Sequence, residues 1–140
     1  MNKLESELLA ALLLVAPREV PAMRVFRRNV AFIQIKDPEH GKDRKMRFGV
    51  KRQCDTYALV AGGLHLELEL KSATGRLTPE QREWRSFCAT WRIPYRLLFP
   101  TPGETPAETV MRWCVEIREL LTSLGIDPYA RAAHGPPGLA

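Results

Sequence analysis

No apolar run in this sequence is long enough to cross a bilayer. The longest, Leu8 to Ala16, spans nine residues, against the roughly 20 that a spanning helix needs. No basic stretch precedes it and no cleavage-like site follows, so neither a membrane span nor a signal peptide is expected. Cysteine is scarce. Cys54, Cys88 and Cys114 are odd in number and form no C-x-x-C pair, which excludes a disulfide scaffold or a zinc ribbon and fits a reducing, cytoplasmic setting. What is present is an ordinary globular balance. With 45% hydrophobic and 26% charged residues over 140 positions, one domain is expected rather than a disordered chain.

Charge is unevenly placed. The chain carries a net +5, yet residues 24–52 alone hold ten basic and three acidic side chains, a net +7. Such a segment suits a polyanion, or simply solvates a loop. Arg27, Arg28, Lys45, Arg47, Lys51 and Arg52 are the candidate nucleic-acid contacts within it.

Periodicity predicts the scaffold. Leu4, Leu8, Leu12 and Val15, widened by Leu9 and Leu13, form a helical stripe over residues 3–15 that Pro17 and Pro21 should end. Met23–Phe26 and Val30–Ile35 read as strands, and residues 36–47 as a mobile basic loop. A strand over Asp55–Val60 then turns at Gly62-Gly63 into a second over Leu64–Lys71. Thr78-Pro79-Glu80-Gln81 and Thr105-Pro106-Ala107-Glu108 are capping-box helix starts. Trp84, Phe87, Cys88 and Trp91 should form a buried stripe on the first of these helices. Val110, Met111, Cys114, Ile117, Leu121 and Leu124 should do so on the second, which Gly125 closes. Ile93–Phe99 is a further strand, and residues 127–140 a flexible Pro/Gly/Ala-rich tail after a domain of residues 1–126. The order implies an α/β domain with one mixed sheet.

The strand from His65 to Lys71 alternates without a break. Leucines take one face; His65, Glu67, Glu69 and Lys71 take the other. Periodicity alone favours an amphipathic strand with a wet outer face. The chemical alternative is metal-assisted phosphodiester hydrolysis: Mg²⁺ is held by a few carboxylate oxygens and waters, while a lysine orients or helps deprotonate the attacking water. Asp55, across the glycine turn, can supply the second carboxylate.

The stretch Gly49 to Asp55, then Glu69-Leu70-Lys71, then Gly75-Arg76-Leu77-Thr78-Pro79-Glu80-Gln81 resembles the virus-type replication-repair nuclease (VRR-NUC) family of the PD-(D/E)xK superfamily. That family's pattern is an acid in the first helix, Asp at the start of one strand, E-x-K on the next, and Gln opening the following helix. The likeness runs from about Glu5 to Leu98 and is most specific from Asp55 to Gln81. It implies a single restriction-endonuclease-like domain, a central mixed sheet flanked by helices, here with an extra C-terminal helix. It further implies that Asp55, Glu69 and the Leu70 carbonyl hold Mg²⁺ or Mn²⁺. Lys71 would contact the nucleophilic water or the scissile phosphate, Gln81 would orient groups near the metal, and Glu5 would hold a metal-bound water or second ion. Cys54 stands where the family commonly has Pro or another small residue, Arg52 where Gly is common, and Leu9 where Gln often follows the helix acid. None of these removes a group the reaction requires.

Rivals stand beside these assignments. Glu67 shares the face of Glu69, though the E-x-K spacing favours Glu69; Glu7 is the alternative to Glu5; Cys54 reads as a buried structural thiol and Gln81 as a helix cap in its own right. Trp84 and Trp91 read as core rather than as base-stacking platforms. The functional expectation is a metal-dependent endodeoxyribonuclease of replication or repair, cytoplasmic in a bacterial or phage-infected cell. It would act on branched or Holliday-junction DNA, and a homodimer, through the last helix, would suit such a substrate. The alternative is a non-catalytic nucleic-acid-binding module using residues 24–52.

Overall fold

The computed structural model describes residues 2–28, 32–35, 39, 41, 44–47, 53–73 and 76–131, with backbone alone for 32–35 and 44–47. Helix α1 (Lys3–Glu19) begins at an Asn2–Glu5 capping box and buries Leu8, Leu9, Leu12 and Ala16. It runs two residues past Pro17, where a proline was expected to stop it. Proline in a last turn forfeits one hydrogen bond, and the turn is still closed by its cap, Val20 N–H donating to the Ala16 carbonyl at 2.8 Å, and held from α3 by Arg118 Nη1, which donates to the Glu19 carbonyl at 3.0 Å.

The main sheet is four-stranded, in the order β1 (Met23–Arg27), β4 (Thr56–Val60), β5 (Leu64–Leu70), β6 (Tyr95–Leu98). β1, β4 and β5 are antiparallel neighbours, and β6 lies parallel to β5. Between β4 and β5 the chain turns with Gly62 and Gly63 both near φ +90°, a backbone region that L side chains avoid. A separate antiparallel ribbon joins β2 (Phe32–Ile35) to β3 (Arg44–Arg47). The expected mobile loop over 36–47 therefore ends in a strand. Its R-K-M-R sequence has no apolar alternation to announce it; the backbone pairing to β2 defines it. Residues 30 and 31 of the expected second strand lie outside the described residues.

α1 and α3 (Pro106–Ser123) pack on one face of the sheet. Leu66, Leu68 and Leu70 of β5 meet Ala58, Val60, Met23, Val25 and Leu98 there, and the helices add Leu8, Leu12, Val110, Trp113, Ile117 and Leu121. Helix α2 (Pro79–Thr90) contributes Gln81, Trp84 and Cys88 to the opposite face, over β5 and β6. Its expected buried stripe is narrower than predicted. Cys88 alone is buried, while Phe87 is 42% and Trp91 68% exposed. A 12-residue helix over half a sheet has less surface to cover than its rings could fill, so the three aromatics pack on one another. Trp84 and Phe87 stack at 5.0 Å between centroids, and Phe87 and Trp91 lie at 5.8 Å. On α3 the stripe shifts likewise: Trp113 is fully buried, and Met111 and Leu124 are exposed.

The expected tail begins tied down, because Ala22 N–H donates to the Pro128 carbonyl at 3.0 Å and Tyr129 N–H to Asp127 Oδ1 at 2.9 Å. Residues 132–140 lie outside the described residues. Among the described residues no helix is long and apolar enough to cross a membrane.

Candidate functional site

β5 is buried on both faces from Leu66 onward, which corrects the expectation of a wet outer face. The leucines face α1 and α3; Glu67 and Glu69, at 2% and 6% exposure, face α2. A buried carboxylate needs partners, and the two glutamates meet that need differently.

Glu67 sits in a closed set of donors. Arg28 grips it with both ends of the guanidinium, Nη2 to Oε1 at 2.7 Å and Nη1 to Oε2 at 3.1 Å. His65 Nε2 lies 2.7 Å from Oε1, and Trp84 Nε1 donates to Oε2 at 3.3 Å. Around it the rings of Phe26, Tyr57 and His65 stack across three strands at 5.5 and 5.2 Å, with the Arg28 guanidinium 4.8 Å from the Tyr57 centroid. Burial pushes the Glu67 carboxyl up, but the hydrogen bonds from Arg28 and His65, with the Arg28 charge, outweigh it and hold the group below the usual carboxylate range. Arg28, expected as a phosphate contact, has a side chain that is 18% exposed and donates to Glu67 and to the Cys54 carbonyl.

Glu69, two residues on, has one strong neutral donor. Gln81 Nε2 donates to Glu69 Oε1 at 2.9 Å. The same side chain closes the α2 capping box, with Gln81 Oε1 accepting from Thr78 N–H at 2.9 Å. Because its oxygen is taken by a donor, the amide must present its nitrogen to Glu69. Capping and site contact are thus not alternatives. Burial pushes the Glu69 carboxyl up; the Cys54 thiol and the Lys71 charge pull it down, and the negative charges of Asp55 and Glu5 push it up again, leaving it above the ordinary range. Burial and the two glutamates also drive the Cys54 thiol far up, so it stays protonated and is no nucleophile.

Of the remaining expected residues, Asp55, Leu70 and Lys71 lie at this end of β5. Asp55, exposed, immediately precedes β4, and strand alternation puts it on the face of Glu69. Lys71 follows β5, half-buried, its N–H donating to the Leu98 carbonyl at 2.9 Å. Leu70 is buried opposite Leu98. Glu5 is half-buried and Glu7 exposed; Asn2 Nδ2 donates to Ser72 Oγ at 2.7 Å and ties the start of α1 to the end of β5. Arg27 is exposed at the end of β1. Lys45 and Arg47 lie in β3, and Lys51 and Arg52 lie outside the described residues.

Two neighbours have a contact with the site that no sequence pattern announces. Tyr95 faces the site because β6 runs parallel in a register opposite Glu67, and its buried hydroxyl has no hydrogen-bond partner among the described residues. Trp84 reaches Glu67 from α2. Neither follows from local spacing.

Among the described residues, no group of three or more His, Cys, Asp and Glu side chains is placed to hold a metal ion. The acids at the end of β5 are neighbours rather than a closed cage. Mg²⁺ is commonly held by one or two carboxylates while it keeps several waters, so Asp55 and Glu69 fit that open kind of site. The Glu69 carboxyl is raised chiefly by its burial, with Asp55 and Glu5 adding smaller contributions. No protein-family model, no curated protein and no solved structure matches this chain.

Proposed function

We propose that this chain is a divalent-metal-dependent endonuclease that hydrolyses DNA phosphodiester bonds, with a restriction-endonuclease-like fold of the VRR-NUC kind. One observation carries the reading. Buried Glu69, held by Gln81 at 2.9 Å, shares a sheet face with Asp55 and lies within the electrostatic reach of Asp55, Glu5 and Lys71, a set drawn from α1, the start of β4 and the end of β5. The element order supports it as well: an acid in the first helix, Asp just before one strand, E-x-K closing the next, and Gln in the first turn of the following helix.

Asp55 and Glu69 would hold Mg²⁺ or Mn²⁺, with the Leu70 carbonyl as the third donor. When bound, the metal offsets charge on the phosphate and lowers the pKa of a coordinated water. The protein's part is positioning. Gln81 fixes the Glu69 carboxylate through Oε1. The Lys71 ammonium steadies the nucleophilic water or the scissile phosphate, and Glu5 accepts from a water at the site's edge. The basic segment of residues 24–52 would hold the phosphate backbone beside these acids. Branched DNA, including Holliday junctions, is the proposed substrate, and a homodimer would let two sites nick opposed strands.

The test is a substrate panel of junction, flap, nicked and linear DNA with Mg²⁺, Mn²⁺ or EDTA. Metal-dependent cleavage is expected, abolished by Asp55→Asn, Glu69→Gln or Lys71→Ala. DNA binding without cleavage under any condition would instead favour a non-catalytic binding module.

A further inference from the structure

We infer that Arg28 is a positioning residue for the metal-holding pair, a clamp that sets Asp55 against Glu69. The inference rests on the nuclease reading above and deepens it.

Asp55 lies just outside β4 and is exposed, where a strand end would fray. Arg28 follows the last residue of β1 and holds that end from two directions. Its backbone N–H donates to the Asp55 carbonyl at 2.6 Å, one step beyond the Arg27–Thr56 pair. Its Nη1 donates to the preceding carbonyl, that of Cys54, at 2.5 Å. The same guanidinium then forks onto both oxygens of Glu67 on β5, the strand that carries Glu69 two residues on. One side chain thus ties the segment bearing the first metal ligand to the strand bearing the second. Glu67 is in turn fixed by His65 and Trp84, so the clamp is anchored in β5 and α2 alike.

The chemistry requires a planar fork. Arginine can serve a carbonyl and a carboxylate at once in fixed directions, whereas lysine offers a point charge on a flexible stem. Metal sites tolerate ligand displacements of only about 0.2 Å, and loss of residues that orient ligands typically weakens metal affinity or activity about 10–100-fold. An arginine inside the most basic segment of the chain therefore acts on the metal site and not on the substrate.

The test separates positioning from stability. Replacing both members of a buried ion pair with apolar side chains is often neutral or stabilising, so the paired variant Arg28→Met/Glu67→Leu should fold. Mn²⁺ affinity of the full chain is measured by titration calorimetry, beside amide hydrogen exchange at position 28 in metal-free protein. The clamp predicts Mn²⁺ binding about 10–100-fold weaker than wild type, faster exchange at position 28, and a thermal midpoint no lower than that of wild type. Arg28→Lys, which keeps the charge opposite Glu67, should also bind Mn²⁺ more weakly; it carries the test alone if the paired variant does not fold. Wild-type Mn²⁺ affinity in a folded variant of either kind would overturn the clamp and leave the nuclease reading standing. No Mn²⁺ binding by the wild type would overturn the metal reading and the clamp with it.

Discussion

Glu67 and Glu69 are the same residue type, on the same strand and the same face, both nearly excluded from solvent, yet their surroundings shift the two carboxyls in opposite directions. Glu67 is surrounded by donors, and Arg28 and His65 hold it ionised. Glu69 is raised chiefly by burial, which the Cys54 hydrogen bond and the Lys71 charge only partly offset, with Asp55 and Glu5 adding to the rise. Burial by itself therefore says little about a carboxylate's role. Its neighbours decide whether it is spent on structure or left with charge to offer. Two glutamates only one pleat repeat apart divide those roles: Glu67 has a charged partner in Arg28, and Glu69 has the neutral donor Gln81.

The largest expected effect comes from breaking the satisfied member. Glu67→Gln leaves the Arg28 guanidinium part-buried without its counter-charge, and loss of one partner of such a pair costs about 3–5 kcal/mol. Urea denaturation at pH 7 should show that loss as a lower midpoint with little change in slope. Glu69, whose carboxyl burial raises, should behave in the opposite way. A carboxyl whose folded pKa is raised favours the fold only while protonated. Above the unfolded carboxylate range its ionisation costs stability, and the cost is complete once pH exceeds the raised value. Glu69→Gln keeps an acceptor for Gln81 without the charge. It should match wild type in thermal midpoint at low pH and exceed it increasingly toward neutrality. Equal midpoints at pH 7 would mean that Glu69 is not under electrostatic strain.

Smaller effects sharpen the comparison. Gln81→Ala removes a helix cap worth about 1 kcal/mol together with the donor to Glu69, so stability should fall modestly while Mn²⁺ affinity falls as well; Thr78→Ala should lower stability alone. At the far end of α2, Trp91→Ser should alter stability by no more than about 0.5 kcal/mol, as expected for an exposed position. A loss of several kcal/mol there would show that the aromatic ladder is structural after all.

How much of this was legible in the sequence follows from the range of each interaction. The capping boxes at Thr78 and Thr105 and the glycine turn at 62–63 are written within four residues, and the structure has them where the spacing puts them. The gathering of Asp55 and Glu69 depends on one hairpin, so it too could be read. The Arg28–Glu67 pair joins residues 39 apart, and no local pattern distinguishes that arginine from its basic neighbours. The wet face expected of β5 failed for a related reason: alternation shows that two faces differ, not that α2 will cover the polar one. Trp91 failed in reverse. Helical spacing placed it in line with Cys88, but the sheet beneath was too narrow to cover both.

The most direct test of the division between the two glutamates is a Mn²⁺ titration of Glu69→Gln by calorimetry at neutral pH, beside wild type. The account predicts that wild type binds, with affinity rising as pH passes through the raised Glu69 carboxyl, and that the variant is at least as stable but binds no Mn²⁺. A variant that binds Mn²⁺ as tightly as wild type would contradict it.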